Sequence, residues 1–206
     1  MDSRITTVVF DIGNVLIEWD PEHLYRKLIP DPEDRRRFLS EICTPAWNLE
    51  QDRGRSWAEA VAERIALFPD HAELIRAYDL RWHEMVPGAI AETVEILYEL
   101  QNAGVPLHAI TNFSSEKFAE AQERFAFLKT AFRSVVVSAH QGLLKPDRSI
   151  YEVLLKSAGL APETCLFVDD SLRNVEGART VGMQAVHFTT ADRLRADMKA
   201  LGLPLR

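Results

Sequence analysis

Val8-Val9-Phe10-Asp11-Ile12-Gly13-Asn14-Val15-Leu16 is the stretch on which the fold turns. It continues Ile5-Thr6-Thr7, and the run from Ile5 to Phe10 is rich in β-branched residues. Such a run reads as a strand covered on both faces, the situation of a parallel sheet. Asp11 ends the strand and Gly13 breaks it, which puts a carboxyl group at the end of a buried strand. A positive φ is expected at Gly13, a conformation that glycine alone adopts freely and that would penalise any side chain there.

Three later segments also stand where an apolar strand should end: Ala109-Ile110-Thr111-Asn112, Leu144-Lys145-Pro146-Asp147 and Leu166-Phe167-Val168-Asp169-Asp170-Ser171. Ligands of an open α/β sheet bind outside the carboxyl ends of its strands, so these groups can converge although they lie far apart in sequence.

The rest of the chain fits that frame. From about Trp19 to Val86 the pattern becomes long helical stretches carrying Trp47, Trp57 and Trp82, broken at Pro30, Pro32, Pro45, Gly54 and Pro69. Residues 19–86 are therefore expected to form a small helical cap, inserted into a core made of residues 1–18 and 87–206. After Pro87-Gly88 a helix carrying Ile90, Val94 and Leu97 stops at Gly104. Strands are expected at 105–110, 133–138, 165–168 and 184–188, with Ser114 and Asp147 capping two of the helices between them. Strands separated by helices of this length need right-handed crossovers, which predicts an α/β fold with a parallel sheet flanked by helices.

Composition excludes several classes. The 206 residues suffice for one core and a modest insertion, and 47 % hydrophobic with 27 % charged residues is ordinary for a globular protein. A formal charge of −7 opposes a nucleic-acid partner; the longest basic run, Arg35-Arg36-Arg37, follows Glu33 and Asp34 and reads as a solvated helix face. The two cysteines, Cys43 and Cys165, make no disulfide framework, and no Cys or His spacing suits zinc. No leader and no membrane-length apolar run is evident, so the cytoplasm is the expected compartment and no membrane partner is expected. A monomer or homodimer is expected.

The chemistry lies at the strand ends. Asp11 alone reads as a helix or turn cap at least as readily as a catalyst. Asp169-Asp170 shifts that balance, because three carboxylates at one sheet mouth repel one another and call for a cation. Oxygen donors without histidine suit Mg²⁺. Thr111 and Asn112 can donate to phosphate oxygens at a helix start, or simply form an entry turn. Lys145, also at a helix start, is electrostatically misplaced unless an anion lies nearby; a solvated lysine is the plainer alternative.

Together the four segments resemble, in order, the four motifs of the haloacid dehalogenase superfamily, from residue 8 to residue 174, with an insertion like its subfamily I cap. The resemblance implies a Rossmann-like core, Asp11 as the nucleophile of an aspartyl-phosphate, and Lys145 bridging nucleophile and phosphate. It implies Ile12, Gly13, Thr111 and Asn112 around the phosphate, and Mg²⁺ held by Asp11, the Gly13 carbonyl, Asp169 and Asp170, with Asn174 orienting that shell. One departure matters: phosphatases of this superfamily usually carry an acid/base aspartate where this chain has Gly13. The Asp-x-Gly-Asn-Val form is similar to a branch that includes α-glucose-1-phosphate phosphatases, whose substrates have a leaving group that needs little protonation.

The expected function is thus Mg²⁺-dependent hydrolysis of a small phosphorylated metabolite such as a sugar phosphate. The alternatives are a 2-haloacid dehalogenase, which needs no leaving-group acid, and a catalytically impaired binding protein of the same fold. Within the insertion, Trp47, Asp52, Arg53, Trp82, His83 and Glu84 are candidate substrate contacts, Arg53 foremost, and His83 or Glu84 is a candidate proton donor.

Overall fold

A computed structural model of the chain describes residues 4–206, so the first three residues of the expected core segment lie outside the described residues. The sheet has five parallel strands in the order β3-β2-β1-β4-β5. They are β1 (Thr7–Phe10), β2 (Leu107–Thr111), β3 (Ser134–Val137), β4 (Cys165–Asp169) and β5 (Gln184–His187). Chain order reverses direction across β1, so the crevice beyond its carboxyl end is the place where such a sheet binds ligands.

The expected alternation is present, with each strand within about two residues of its predicted ends. Val8 and Phe10 pack into one apolar cluster and Val9 into the other, on opposite faces of the sheet, as the period of two requires. All three are fully buried, and each contributes on the order of 1.5–3 kcal/mol of burial free energy.

Between β1 and β2 run α1 (Glu22–Leu28), α2 (Pro32–Arg37), α3 (Pro45–Asp52), α4 (Trp57–Leu67), α5 (Ala72–Leu80) and α6 (Ala91–Asn102). Thr44 caps α3 by accepting from the Trp47 amide at 3.0 Å, with Pro45 at the first helical position. The helices before α6 have an aromatic core: Trp57 stacks on Tyr78 at 5.7 Å, and Trp47 meets both rings edge-on. Trp47 is thus packing and lies outside the cavity described below.

After β2 come α7 (Ser115–Arg124) and α8 (Phe127–Thr130), and after β3 α9 (Ser138–Gln141) and α10 (Arg148–Ala158). The helix α11 (Leu172–Thr180) follows β4, and α12 (Ala191–Ala200) follows β5. Two expected caps are corrected. Ser114 and Asp147 occupy the N-cap positions of α7 and α10 without capping them through their side chains. The Ser114 hydroxyl instead accepts from the Trp57 indole at 2.8 Å, a tie between α4 and the core. Lys117 of α7 adds a second tie, 2.7 Å from the Asp79 carboxylate of α5.

One close approach packs α11 against the Lys145-Pro146 segment. A Cβ at Gly177 in α11 would lie 2.7 Å from the Pro146 carbonyl oxygen and 2.9 Å from the Tyr151 hydroxyl. Gly177→Ala gains about 1 kcal/mol of helix propensity, but overpacking against backbone costs about 1–3 kcal/mol. The variant is expected to melt lower than wild type and to shift the Lys145-Pro146 segment that packs on it; thermal melts check the first.

Candidate active site

Topology alone brings Asp11, Thr111 and Asp169 together, since β1 lies between β2 and β4 and all three strands end at the same edge. The Asp11 amide donates to the Val168 carbonyl at 2.8 Å, which prolongs the β1–β4 ladder by one residue and sets the carboxyl group at the sheet mouth. The chain then turns tightly, with the Leu16 and Ile17 amides both donating to the Ile12 carbonyl. The left-handed residue in this turn is Asn14, at φ 54°, and not Gly13. A Cβ at Gly13 would meet nothing within 4 Å, which corrects the expectation that a side chain there is strained. Asparagine tolerates this conformation because its short polar side chain bonds locally; here Asn14 Oδ1 accepts from the Trp19 amide at 2.9 Å.

Lys145 is the hub of the site. Its ammonium lies 2.8 Å from Asp11 Oδ1 and 2.7 Å from Asp169 Oδ2, with the residue only 4 % exposed. The solvated reading of this lysine is thereby excluded. Asn112 positions it: its Oδ1 accepts from the Lys145 amide at 2.8 Å and its Nδ2 donates to the Lys145 carbonyl at 3.1 Å. The Asp169 carboxylate is held on every side, by Lys145, the Ser171 amide and both contacts from Asn174 Nδ2. The expected orienting role of Asn174 therefore falls on Asp169. Asp11 Oδ1 accepts from the Ile12 amide as well as from Lys145, while Oδ2 accepts from no donor among the described residues.

The electrostatics leave a deficit. Burial pushes the Asp11 carboxyl up to about 7; Lys145 pulls it down, and Asp169 and Asp170 push it further up. Burial and the Asp169 charge likewise raise Asp170, against Lys145. Burial alone would lower Lys145, but Asp11 and Asp169 outweigh it and hold the ammonium above its ordinary range. One ammonium thus faces three carboxylates, which offer one oxygen each within 4.8 Å of one another. This all-oxygen set fits a Mg²⁺ ion, whose charge would bring the cluster to neutrality. Asp169 is already held on every side, so Asp11 and the more exposed Asp170 are the carboxylates left for it.

A cavity of about 240 Å³ opens beside this cluster. Gly13, Asn112 and Asp170 form its core side, and Asn48, Asp52 and Trp82 face them from the inserted helices.

A family model for haloacid dehalogenase-like hydrolases matches residues 5–182. The chain belongs to this family. It is 27 % identical over 193 residues to a sesquiterpene phosphatase of Aspergillus oryzae, covering 92 % of each chain. It is 28 % identical over 211 residues to a phosphatase of Mycobacterium tuberculosis, covering 96 % of this chain and 95 % of that one. In fold it resembles a haloacid dehalogenase family enzyme of Bacteroides thetaiotaomicron, solved with magnesium and inorganic phosphate. The TM-score is 0.69 at 18 % identity, over 90 % of this chain and 94 % of that one.

In this haloacid dehalogenase-like hydrolase Lys145 joins Asp11 to Asp169, Asp170 lies beside them, Ile12 and Gly13 follow Asp11, and Thr111 and Asn112 stand at the end of the neighbouring β2. Three expectations for the insertion fail. Arg53 follows the last residue of α3; its exposed side chain lies 3.9 Å from Glu50 and away from the cavity. Glu84 cannot supply a proton, because hydrogen bonds from Arg81 and Lys27 hold its carboxyl down to about 2. His83 is exposed and also outside the cavity lining. Asn14, Trp19, Asn48, Ser114 and Lys117 line the cavity and were not foreseen. A signal existed for one of them, since Asn48 sits one helical turn before Asp52, on the same face of α3.

Proposed function

We propose that this chain is a Mg²⁺-dependent phosphomonoester hydrolase that works through an aspartyl-phosphate on Asp11. The observation that carries this reading is Lys145 buried between Asp11 and Asp169, with Asp170 completing an all-oxygen acidic set. The phosphatases among its relatives and the magnesium and phosphate bound to its fold neighbour support it.

Asp11 Oδ2 is the free nucleophilic oxygen, since Oδ1 is held by Ile12 and Lys145. Lys145 holds that carboxylate in place and faces the equatorial phosphate oxygens, and Thr111, which ends the neighbouring β2, offers them its hydroxyl. Asn112 positions Lys145 rather than the phosphate. Asp11, Asp170 and the Gly13 carbonyl would hold the Mg²⁺, which supplies charge neutralisation of the phosphoryl group. Residues 19–86 act as a cap that excludes water from the reacting centre.

The substrate is a small phosphorylated metabolite of about the size of a sugar phosphate. At about 240 Å³ the cavity lies below the usual ~300–1,000 Å³ of small-molecule sites. Its lining mixes aromatic faces (Trp19, Trp57, Trp82, Phe113) with amide, carboxyl and ammonium groups, which suits a polyol better than a purely apolar chain. Purified protein with Mg²⁺ is expected to release phosphate from sugar and aryl phosphates, to stop in EDTA, and to recover when Mg²⁺ is restored. Metal-free release of chloride from 2-chloropropionate would instead show dehalogenase chemistry. A folded protein that turns over neither would show a binding role.

A further inference from the structure

We propose that Asp52, carried by the inserted helix α3, is the proton donor to the leaving group and stands in for the carboxylate that Gly13 lacks. The inference rests on the phosphatase reading above and deepens it.

The geometry isolates Asp52. It lines the same cavity as Gly13, and the space where a side chain at residue 13 would begin is open to 4 Å. Among the described residues lining that cavity, Asp52 is the one carboxyl group outside the acidic set of Asp11, Asp169 and Asp170. It is not a loose surface acid. The Ser138 hydroxyl donates to its backbone carbonyl at 2.5 Å and Asn48 Nδ2 donates to its Oδ2 at 3.1 Å. These bonds come from α3 itself and from the start of α9, so the residue is held between insertion and core.

Its protonation suits the task. Burial pushes the Asp52 carboxyl up to about 7, against the Ser114 amide and the Lys145 charge. An acid is most effective when its pKa lies near the working pH. The other groups facing this position are Lys117 of α7 and Asp170, which line the cavity, and Tyr78 of α5, whose hydroxyl stays protonated because it is buried.

The step balances. Asp11 Oδ2 forms a bond to phosphorus as the ester P–O bond breaks, and the leaving oxygen takes the Asp52 proton and departs as the alcohol. Asp52, now a carboxylate, takes a proton from water as that water's oxygen attacks the aspartyl-phosphate. Phosphate leaves, Asp11 is regenerated as a carboxylate and Asp52 as a carboxylic acid.

The test compares leaving groups. In Asp52→Asn, kcat/KM for glucose 6-phosphate or glycerol 3-phosphate is expected to fall by about 10²–10⁴-fold, and for 4-nitrophenyl phosphate by less than about 10-fold, because nitrophenolate needs little protonation. Placing a carboxylate in the open space with Gly13→Asp should restore alkyl phosphate turnover to Asp52→Asn. In wild type, kcat/KM for the alkyl esters should be lost as pH rises through about 7, the value to which burial brings Asp52, and the aryl ester should lack that limb. This last measurement needs no variant and stands even where Asp52→Asn folds poorly. Equal losses on both ester classes, a shared alkaline limb, or a wild type that cleaves only the aryl ester overturns the assignment. A wild type that cleaves no phosphomonoester removes the phosphatase reading, and this role with it.

Discussion

Asp11→Asn is expected to abolish phosphate release, by on the order of 10⁴-fold or more, because an amide cannot form the acyl-phosphate. The same change should raise the melting temperature of the metal-free protein at neutral pH. The Asp11 carboxyl is raised from 3.8 to about 7 in the folded chain, chiefly by burial. A folded pKa above the unfolded one means that the folded state binds the proton more tightly between these values. The contribution of Asp11 to stability is therefore fully present below about pH 4 and is lost as pH rises to about 7. The amide does not titrate, so in EDTA the variant should gain on wild type across that window and hold the gain above it. Melts at pH 5 and pH 8 measure the effect. Retained turnover in a clean preparation of the variant would disprove the covalent mechanism.

Lys145→Met is expected to be the most destabilising single change at the site. It removes the buried ammonium from between Asp11 and Asp169, and breaking one side of a buried ion pair costs about 3–5 kcal/mol. The cost should be largest in EDTA at pH 8. At pH 5 it should shrink, because Asp11 then carries its proton, and added Mg²⁺ should recover part of it by supplying the missing positive charge. Turnover should fall by about 10²–10³-fold even with Mg²⁺, as for the loss of one preorganised donor at a developing charge. Urea unfolding with and without Mg²⁺ at the two pH values tests this. An equal loss under all four conditions would mean that Lys145 acts through packing alone.

Much of this site is legible in the amino-acid sequence. The β-branched run into Asp11 marks a doubly covered strand, and a parallel sheet allows few arrangements of its neighbours. Once β1 lies between β2 and β4, Asp11, Thr111 and Asp169 must share one edge, because each ends its strand. The spacing of apolar runs and helix stops therefore carries the acidic cluster as well as the fold. Lys145 follows from the same logic only in part. Its position after β3 and before α10 was readable, but its two ion pairs also depend on the Asn112 side chain and on the close passage of Gly177 behind Pro146.

The sequence by itself thus determined the α/β class, the helical insertion, and the order and chemical nature of the groups at the sheet mouth, because strand periodicity and chain order are local properties. Only the tertiary structure decided which face of the insertion meets that mouth. Arg53 and Asp52 are adjacent, and nothing local to α3 tells them apart. The choice is made by Ser138 holding the Asp52 carbonyl, by Trp57 bonding to Ser114, and by Lys117 pairing with Asp79. These contacts span 38 to 86 residues of chain. They turn the end of α3 so that the carboxyl group enters the cavity and the guanidinium stays in water, and no pattern within a single helix encodes that rotation.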